Sequence, residues 1–228
     1  LTGIPFREII TFVQRRGIDL VVKAASKPGG PRGLLFGSMD LHLMRKCPAP
    51  VWVHQARGEG AGYGRIMAAV DVGDDSKLGR AMSRFILDLA TSLGQLDDSD
   101  VHVVHAFSST GERMVRASRR GLVPAEEIQR GAEAEAAERQ ALFRDVVEPY
   151  LDLPVRLHLH LLQGDPHETL PLFARDRDVD LIVMGTLGRT GVPGFFMGNT
   201  AEDVLRQADA SVLTLKPEGF VSPVTASA

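Results

Sequence analysis

Residues 184–201 read MGTLGRTGVPGFFMGNTA, and the fold prediction starts from this stretch. It follows an apolar run at 180–184 that is typical of a buried parallel strand, and it leads into a segment with helical periodicity. Gly185, Gly188 and Gly198 let the backbone turn sharply and approach a ligand closely. A helix that begins after such a loop presents free N–H groups and a partial positive charge. The stretch therefore predicts an anion site, and its chemistry suits a diphosphate or triphosphate.

The complete half of the chain alternates strands with helices. Strands are predicted at 66–72, 101–107, 155–163, 180–184 and 211–215, and helices at 76–93, 124–148, 166–175 and 199–207. Near-continuously apolar strands separated by helices predict an α/β fold with a Rossmann-like, five-stranded parallel sheet and helices on both faces. Ligands of such sheets bind at the carboxyl ends of the strands.

The chain also contains a long internal repeat. A shift of 161 positions aligns residues 5–54 with residues 166–215 without a gap, at about 11 identities in about 50 positions. Three spaced glycines recur in register, which composition alone does not explain. The first copy has no counterpart of residues 65–161, so it corresponds to a C-terminal half, and we expect the natural parent to be a two-domain tandem. The predicted boundaries are 1–56 for the truncated copy, 57–63 for a linker, 64–217 for the complete copy and 218–228 for a loose tail.

Composition excludes several functional classes. The 228 residues carry 26 Lys and Arg against 29 Asp and Glu, a net charge of -3. This balance gives no general attraction to nucleic acid or to anionic membranes. Cys47 is the one cysteine, which excludes an internal disulfide and leaves too few soft ligands for structural zinc. With no apolar run near the roughly 20 residues of a membrane span and no signal-peptide pattern, we expect a cytoplasmic protein.

The glycine-rich loop has neither of the two common nucleotide-binding patterns. It has no Gly-Lys-Ser/Thr sequence, and no lysine lies between Lys77 and Lys216. The GxGxxG spacing is absent as well. The spacing that is present, Gly-x2-Gly-x9-Gly, resembles the universal stress protein family, whose nucleotide-binding members carry it before a Ser or Thr. The resemblance covers residues 1–54 and 64–217, and GRTG...GNTAE and LHLMRKCPAPVW are most similar to its tandem, E-like members.

This resemblance implies a Rossmann-like fold of the adenine nucleotide alpha hydrolase-like type, with ATP, accompanied or not by Mg²⁺, as the ligand. It places Asp71 near the nucleoside and Ala106 beside the adenine. It places Gly185, Gly188, Gly198, Asn199 and Thr200 around ribose and phosphates, and Met184 is the remaining residue of the implied nucleotide site. The chemistry agrees at Asp71, because a carboxylate at the carboxyl end of a strand accepts a hydrogen bond from a ribose hydroxyl or an adenine amino group.

Two positions depart from the family pattern. Three hypotheses about the function therefore stay open. Asn199 replaces the hydroxyl residue, and the bulky Leu187 lies between the first two glycines. The first hypothesis is a stress-response, ATP-binding regulatory module that is not an efficient enzyme. The second is the same fold with ATP binding lost and an apolar or lipid-like ligand or a protein partner instead, motivated by Leu187, Phe195 and Phe196. The third is a slow ATPase or autokinase, for which the sequence offers hydroxyl residues but no evident base or lysine.

The first copy differs at the loop. Ala24 and Lys27 stand where the first two glycines of the second copy stand, so no nucleotide is expected there. The fifth strands, 51–54 and 211–215, end their copies, and edge strands invite pairing. In the resembled family, domains pair through this strand. The resemblance therefore implies an intramolecular pseudo-dimer, with homodimerisation possible in addition.

Two further clusters have both a functional and a structural interpretation. His158 and His160 alternate with leucines, so both imidazoles face one side of their strand and could form half of a metal site. No third ligand is evident, which favours packing, and no metal is predicted. Arg113, Arg116, Arg119 and Arg120 form a basic cluster that either closes over phosphates or is a solvated face.

Overall fold

The computed structural model describes residues 3–25, 36–55, 62–108, 125–186 and 198–225. The helices are α1 (Pro5–Arg16), α2 (Ser38–Lys46), α3 (Lys77–Asp97), α4 (Ala125–Val147), α5 (Pro166–Asp176) and α6 (Asn199–Gln207), with a 3-10 turn at Glu148–Tyr150. The strands are β1 (Val21–Ala24), β2 (Val51–His54), β3 (Arg65–Ala69), β4 (Asp100–Phe107), β5 (Arg156–Gln163), β6 (Leu181–Gly185) and β7 (Ser211–Leu215). None of the helices in these ranges has the length and the apolar character that a bilayer crossing requires. The basic cluster at 113–120 lies outside the described residues.

All seven strands belong to one sheet, in the order β1-β2-β7-β6-β3-β4-β5. The strands of the second copy, β3 to β7, pair in parallel, which confirms the predicted Rossmann-like sheet. Strands β1 and β2 also pair in parallel. Between the two copies, β2 pairs with β7 antiparallel, with Trp52 opposite Leu213. The two fifth strands therefore meet inside the sheet, and its outer strands are β1 and β5.

The elements of the two copies correspond in sequence and in structure. Shifted by 161 positions, α2 coincides with α6, and β2 coincides with the last four residues of β7. Helix α1 begins at Pro5 and helix α5 at Pro166. Proline suits a first helical turn because its φ is already near the helical value and its missing N–H would have no partner there. The same local chemistry therefore starts the same helix twice.

Each face of the sheet is covered by its own set of helices. On one face α1, α2, α5 and α6 bury residues of both copies in a common core that includes Ile10, Leu43, Val53, Ile182 and Leu205. On the other face α3 and α4 cover the second copy. Strands buried on both faces are nearly all apolar, which explains the continuous hydrophobic runs in the sequence. The first copy contributes to a core that it cannot complete alone.

Helix α3 extends beyond its predicted end. A glycine preference just after helices predicts a stop near Gly94. The helix instead runs to Asp97 and ends at Asp98, which has φ 52° and donates its N–H to the Gly94 carbonyl. A Cβ at Gly94 would lie 2.4 Å from Cγ2 of Val101. The glycine therefore permits close packing of α3 on β4 instead of marking the end of the helix.

The segment after β7 packs on the first copy. Ser222 Oγ donates to the Lys46 carbonyl at 2.7 Å, and Gln14 Nε2 donates to the Val224 carbonyl at 3.1 Å. Val224 is buried in the core that both copies share. Ser222 and Val224 lie in the segment 218–228, for which the absence of periodicity predicts a loose tail. Their partners are in helices about 175 to 210 positions away in the chain, which a local pattern does not reveal.

We predict that Leu43→Ala destabilises both copies together. Leu43 is fully buried in the shared core, and truncation of a buried leucine costs about 2–5 kcal/mol in the free energy of unfolding. Trp52 in β2 reports the first copy by fluorescence, and far-UV circular dichroism reports mainly the second. Both signals are expected to shift to the same lower denaturant midpoint.

Leu96→Ala is the matched control, because this leucine of α3 is 80% exposed. Its effect is expected to stay within about 0.5 kcal/mol. Separate transitions for the Trp52 signal and the helical signal would contradict the shared core.

Candidate functional site

The carboxyl ends of the parallel strands form one edge of the sheet, and the predicted site residues in the described ranges lie along it. Asp71 follows β3 as an exposed residue, and its Oδ1 accepts a hydrogen bond from the Gly73 N–H at 3.0 Å. Ala106 and Met184 are buried within β4 and β6. Their side chains offer apolar contact and no hydrogen bond. Gly188 and Leu187 lie outside the described residues.

Gly185 has a packing role that is independent of any ligand. It is the last residue of β6, and a Cβ there would lie 3.3 Å from Cγ of Met82 on α3. Such a distance is tight for two carbon atoms, so with a larger residue the Met82 side chain would have to move by a few tenths of an ångström. The sequence interpretation gave this glycine a turn and a close approach to a ligand, and did not include the contact with α3.

Thr186 joins the ends of the glycine-rich segment. Its carbonyl accepts the N–H of Gly198 at 2.8 Å, and its own N–H donates to the Leu215 carbonyl at 3.2 Å. Thr186 is fully buried. We call the Thr186–Gly198 hydrogen bond the neck. It fixes the start of α6 against the ends of β6 and β7.

Helix α6 begins at this neck. Gly198 is its N-cap residue, and among the described residues no side chain caps the helix. Asn199 is exposed and Thr200 is half-buried in the first turn. The first N–H groups of a helix have no partner within it, and together with the helix dipole they favour an anion. Among the described residues, the first turn of α6 at Gly198, Asn199 and Thr200 is therefore a helix start that favours an anion.

A chain of polar contacts at the same edge was not found from the sequence. Asp203 Oδ2 lies 2.7 Å from Nδ1 of His167, and His167 Nε2 lies 3.4 Å from Oγ1 of Thr200. His167 lies in the first turn of α5, and the other two residues lie on α6. The residues are 33 to 36 positions apart and meet because the two helices pack on each other. An acid, an imidazole and a hydroxyl in this order form the arrangement that activates a hydroxyl nucleophile.

The corresponding helix start of the first copy has an acidic residue in its first turn. Gly37 precedes α2, and its N–H donates to Oδ2 of Asp40 at 2.9 Å. The Asp40 side chain is fully buried, and its Oδ1 forms an ion pair with Lys23 Nζ at 2.7 Å. The equivalent N–H in the second copy, that of Gly198, donates to the Thr186 carbonyl instead, and Ala201 stands where the first copy has Asp40.

The histidines of β4 and β5 lie at the opposite, amino-terminal part of the sheet. His102 Nδ1 lies 3.0 Å from His160 Nε2, and His158 Nε2 lies 3.0 Å from Oδ1 of Asp100. Together with Arg177 they line a cavity of about 300 Å³. Within the described ranges, no group of three or more His, Cys, Asp or Glu is arranged to hold a metal ion. Burial lowers the pKa of His102, and burial together with His102, Arg177 and His158 lowers the pKa of His160 to about 4.

Comparison with known proteins gives consistent matches. The universal stress protein family model matches residues 1–55 and 62–216. Universal stress protein E of Escherichia coli (strain K12) is 28% identical over 222 residues, which cover 96% of this chain and 67% of that protein.

Solved structures of similar fold agree with this family match. The crystal structure of a functionally unknown protein from Pseudomonas aeruginosa PAO1 is similar with a TM-score of 0.73 and 27% identity, over 96% of this chain and 70% of that one. A universal stress protein from Archaeoglobus fulgidus DSM 4304 has the same fold, with a TM-score of 0.60 and 18% identity over 94% of this chain and 67% of that one.

We predict that His160 makes the fold sensitive to mild acid. Its pKa is about 4 in the folded chain against an ordinary 6.5, so the unfolded chain binds the proton first as the pH falls. Stability is therefore lost between pH 6.5 and 4, by about 1 kcal/mol because water screens the partly exposed ring. Urea unfolding at several pH values should show a shallower acid dependence for His160→Gln.

His54→Gln is the control for this measurement, because His54 lies on β2, away from the cluster. It should leave the pH dependence between 6.5 and 4 close to that of the unmodified chain. An equal flattening in both variants would contradict the assignment to His160.

Proposed function

Because the chain belongs to the universal stress protein family, we propose that residues 64–217 form a regulatory module that binds adenine nucleotides in the stress response. ATP with Mg²⁺ is the proposed ligand. The module acts by binding, without efficient catalysis, and its proposed location is the cytoplasm. Residues 1–56 form the truncated first copy, joined through the linker 57–63, and carry no nucleotide.

The observation that carries this proposal is the open start of α6 beside the neck. Among the described residues no side chain caps this helix start. The first turn of α2 contains the buried carboxylate of Asp40, which disfavours an anion there, whereas Ala201 stands at the equivalent position of α6. An uncapped helix start next to a glycine-rich segment is a preferred position for phosphate. This difference supports a phosphate site in the second copy and not in the first.

The proposed roles follow from the position of each residue. Asp71 accepts a hydrogen bond from the ribose or the adenine amino group, and Ala106 and Met184 pack against the base. The backbone around Gly185, Gly188 and Gly198 approaches the ribose and phosphates. Asn199 and Thr200 offer an amide and a hydroxyl to the phosphate oxygens.

We also propose that the two copies form an intramolecular pseudo-dimer. The antiparallel pairing of β2 with β7 and the common core of α1, α2, α5 and α6 support this assignment. A symmetric pairing of equivalent strands is the usual way in which two like domains join sheets. Homodimerisation of the whole chain is proposed in addition.

We predict that Gly198→Asp abolishes ATP binding. The backbone at Gly198 has φ -59° and ψ 142°, which any residue adopts without strain. The new carboxylate occupies the helix start and repels phosphate, so the Kd should rise roughly 100-fold or more. Isothermal titration calorimetry with Mg²⁺-ATP measures this, and a micromolar Kd is expected for the unmodified chain.

Gly131→Asp introduces the same charge at an exposed position of α4 where a Cβ would meet nothing within 4 Å. This control should bind ATP as the unmodified chain does. Equal losses in both variants would assign the effect to net charge, and an absence of binding to the unmodified chain would overturn the nucleotide proposal in favour of an apolar ligand or a partner protein.

The Asp203–His167–Thr200 contacts favour a second candidate function, slow phosphoryl transfer. In such a step the Thr200 oxygen would form a bond to the γ-phosphorus of ATP while the bond to the leaving ADP breaks. His167 Nε2 would accept the hydroxyl proton, and Asp203 would orient the ring and stabilise the imidazolium. The products are a phosphothreonine and ADP. The sequence had offered hydroxyl residues for this activity but no base.

We predict that Thr200→Val removes any phosphothreonine that forms on incubation with Mg²⁺-ATP. His167→Gln should slow its formation about 100-fold, the usual contribution of a general base. Mass spectrometry of the digested chain and the release of ADP are the measurements.

Thr11→Val, on α1 of the first copy, is the control. ATP binding without phosphothreonine, or phosphorylation that persists in Thr200→Val, would contradict this second function.

A further inference from the structure

Lys216 lies directly after β7 and connects the first copy to the neck. The residue is only 7% exposed. Its Nζ donates to the carbonyl of Met44, in the last turn of α2, at 2.6 Å and also donates to Oγ1 of Thr186. One amine therefore joins a helix end of the first copy to the residue that closes the glycine-rich segment of the second.

Thr186 links Lys216 to the proposed phosphate position. Its carbonyl accepts the Gly198 N–H, and Gly198 is the residue from which α6 starts. The Lys216 nitrogen is thus two hydrogen bonds away from the start of α6. Both Lys216 and Thr186 are buried, so a charge on the amine acts through protein with little screening by water.

The elements around the amine supply little compensating charge. Helix α2 contributes the Met44 carbonyl and the thiol of Cys47, and α3 faces a cavity of about 200 Å³ with apolar side chains. The segment after β7 contributes Glu218 at that cavity and the ring of Phe220, whose centroid is 5.1 Å from Nζ. In the part of the chain that the structure describes, no carboxylate forms an ion pair with Lys216. Burial therefore lowers the pKa of Lys216 to about 7.

We infer that Lys216 is a positioning residue that holds the neck against the first copy, and that a phosphate anion at the start of α6 draws a proton onto its amine. The second half of this inference rests on the proposed nucleotide site. An amine that is half-protonated near pH 7 gains a proton when an anion arrives, because the anion favours the charged form. Nucleotide affinity should then fall as the pH rises above 7.

Calorimetric titration with Mg²⁺-ATP at pH 8, in two buffers of different ionisation enthalpy, measures the proton uptake. The unmodified chain should take up about half a proton or more per nucleotide. Lys216→Met should take up none and bind roughly 10-fold more weakly at pH 7, because the buried positive charge is gone. Lys216→Arg keeps a permanent charge, so its affinity should no longer fall between pH 7 and 8.

Lys46→Met is the matched control, because Lys46 lies on α2 with its amine over the Phe6 ring, outside the proposed site. It should keep both the proton uptake and the affinity of the unmodified chain. If the unmodified chain binds ATP and Lys216→Met takes up as many protons, the link to Lys216 is overturned.

Hydrogen exchange measured without nucleotide tests the role of Lys216 at the neck independently of ligand binding. The amide of Gly198 should exchange faster in Lys216→Met and in Thr186→Val than in the unmodified chain or in Lys46→Met. Unchanged exchange would overturn the positioning role. If the unmodified chain binds no ATP, the proposed function and the proton link both fail, and the exchange rates alone still decide whether Lys216 holds the neck.

Discussion

The antiparallel pairing of β2 with β7 is the contact on which the rest of the structure depends. It turns the strands of two sequence copies into one seven-stranded sheet. Because the sheet is continuous, α1 and α2 can share a core with α5 and α6. In the part of the first copy that the structure describes there are two strands, β1 and β2, and they extend the sheet of the second copy beyond β7.

The two copies have equivalent helices whose first turns differ in charge. Helices α2 and α6 occupy equivalent positions and begin after a glycine. At α2 the carboxylate of Asp40 accepts the N–H of Gly37 and forms an ion pair with Lys23. At α6 the residue equivalent to Asp40 is Ala201, which has no charge, and the Gly198 N–H donates to the Thr186 carbonyl instead. The two helix starts therefore differ by one buried carboxylate.

The sequence predicted the helices and strands well, but it did not predict the contacts between residues that are distant in the chain. Apolar runs and helical periodicity located the strands and α-helices that the structure describes in the second copy, because each pattern is local. The end of α3 was missed because Gly94 is explained by packing against Val101, a contact beyond the helix itself. His167 and Thr200 meet only when two helices pack. The sequence showed Lys216 only as the first lysine after Lys77. Its contact with Thr186 depends on the folded structure and could not be predicted from its position in the chain.

Asp40 also determines whether a free anion can bind at the start of α2. A tethered carboxylate is present at the start of α2 at an effective concentration that a free anion in solution does not approach. A free phosphate could enter only by displacing a buried group and leaving Lys23 without its ion pair. The buried carboxylate of Asp40 therefore disfavours a small anion at the start of α2.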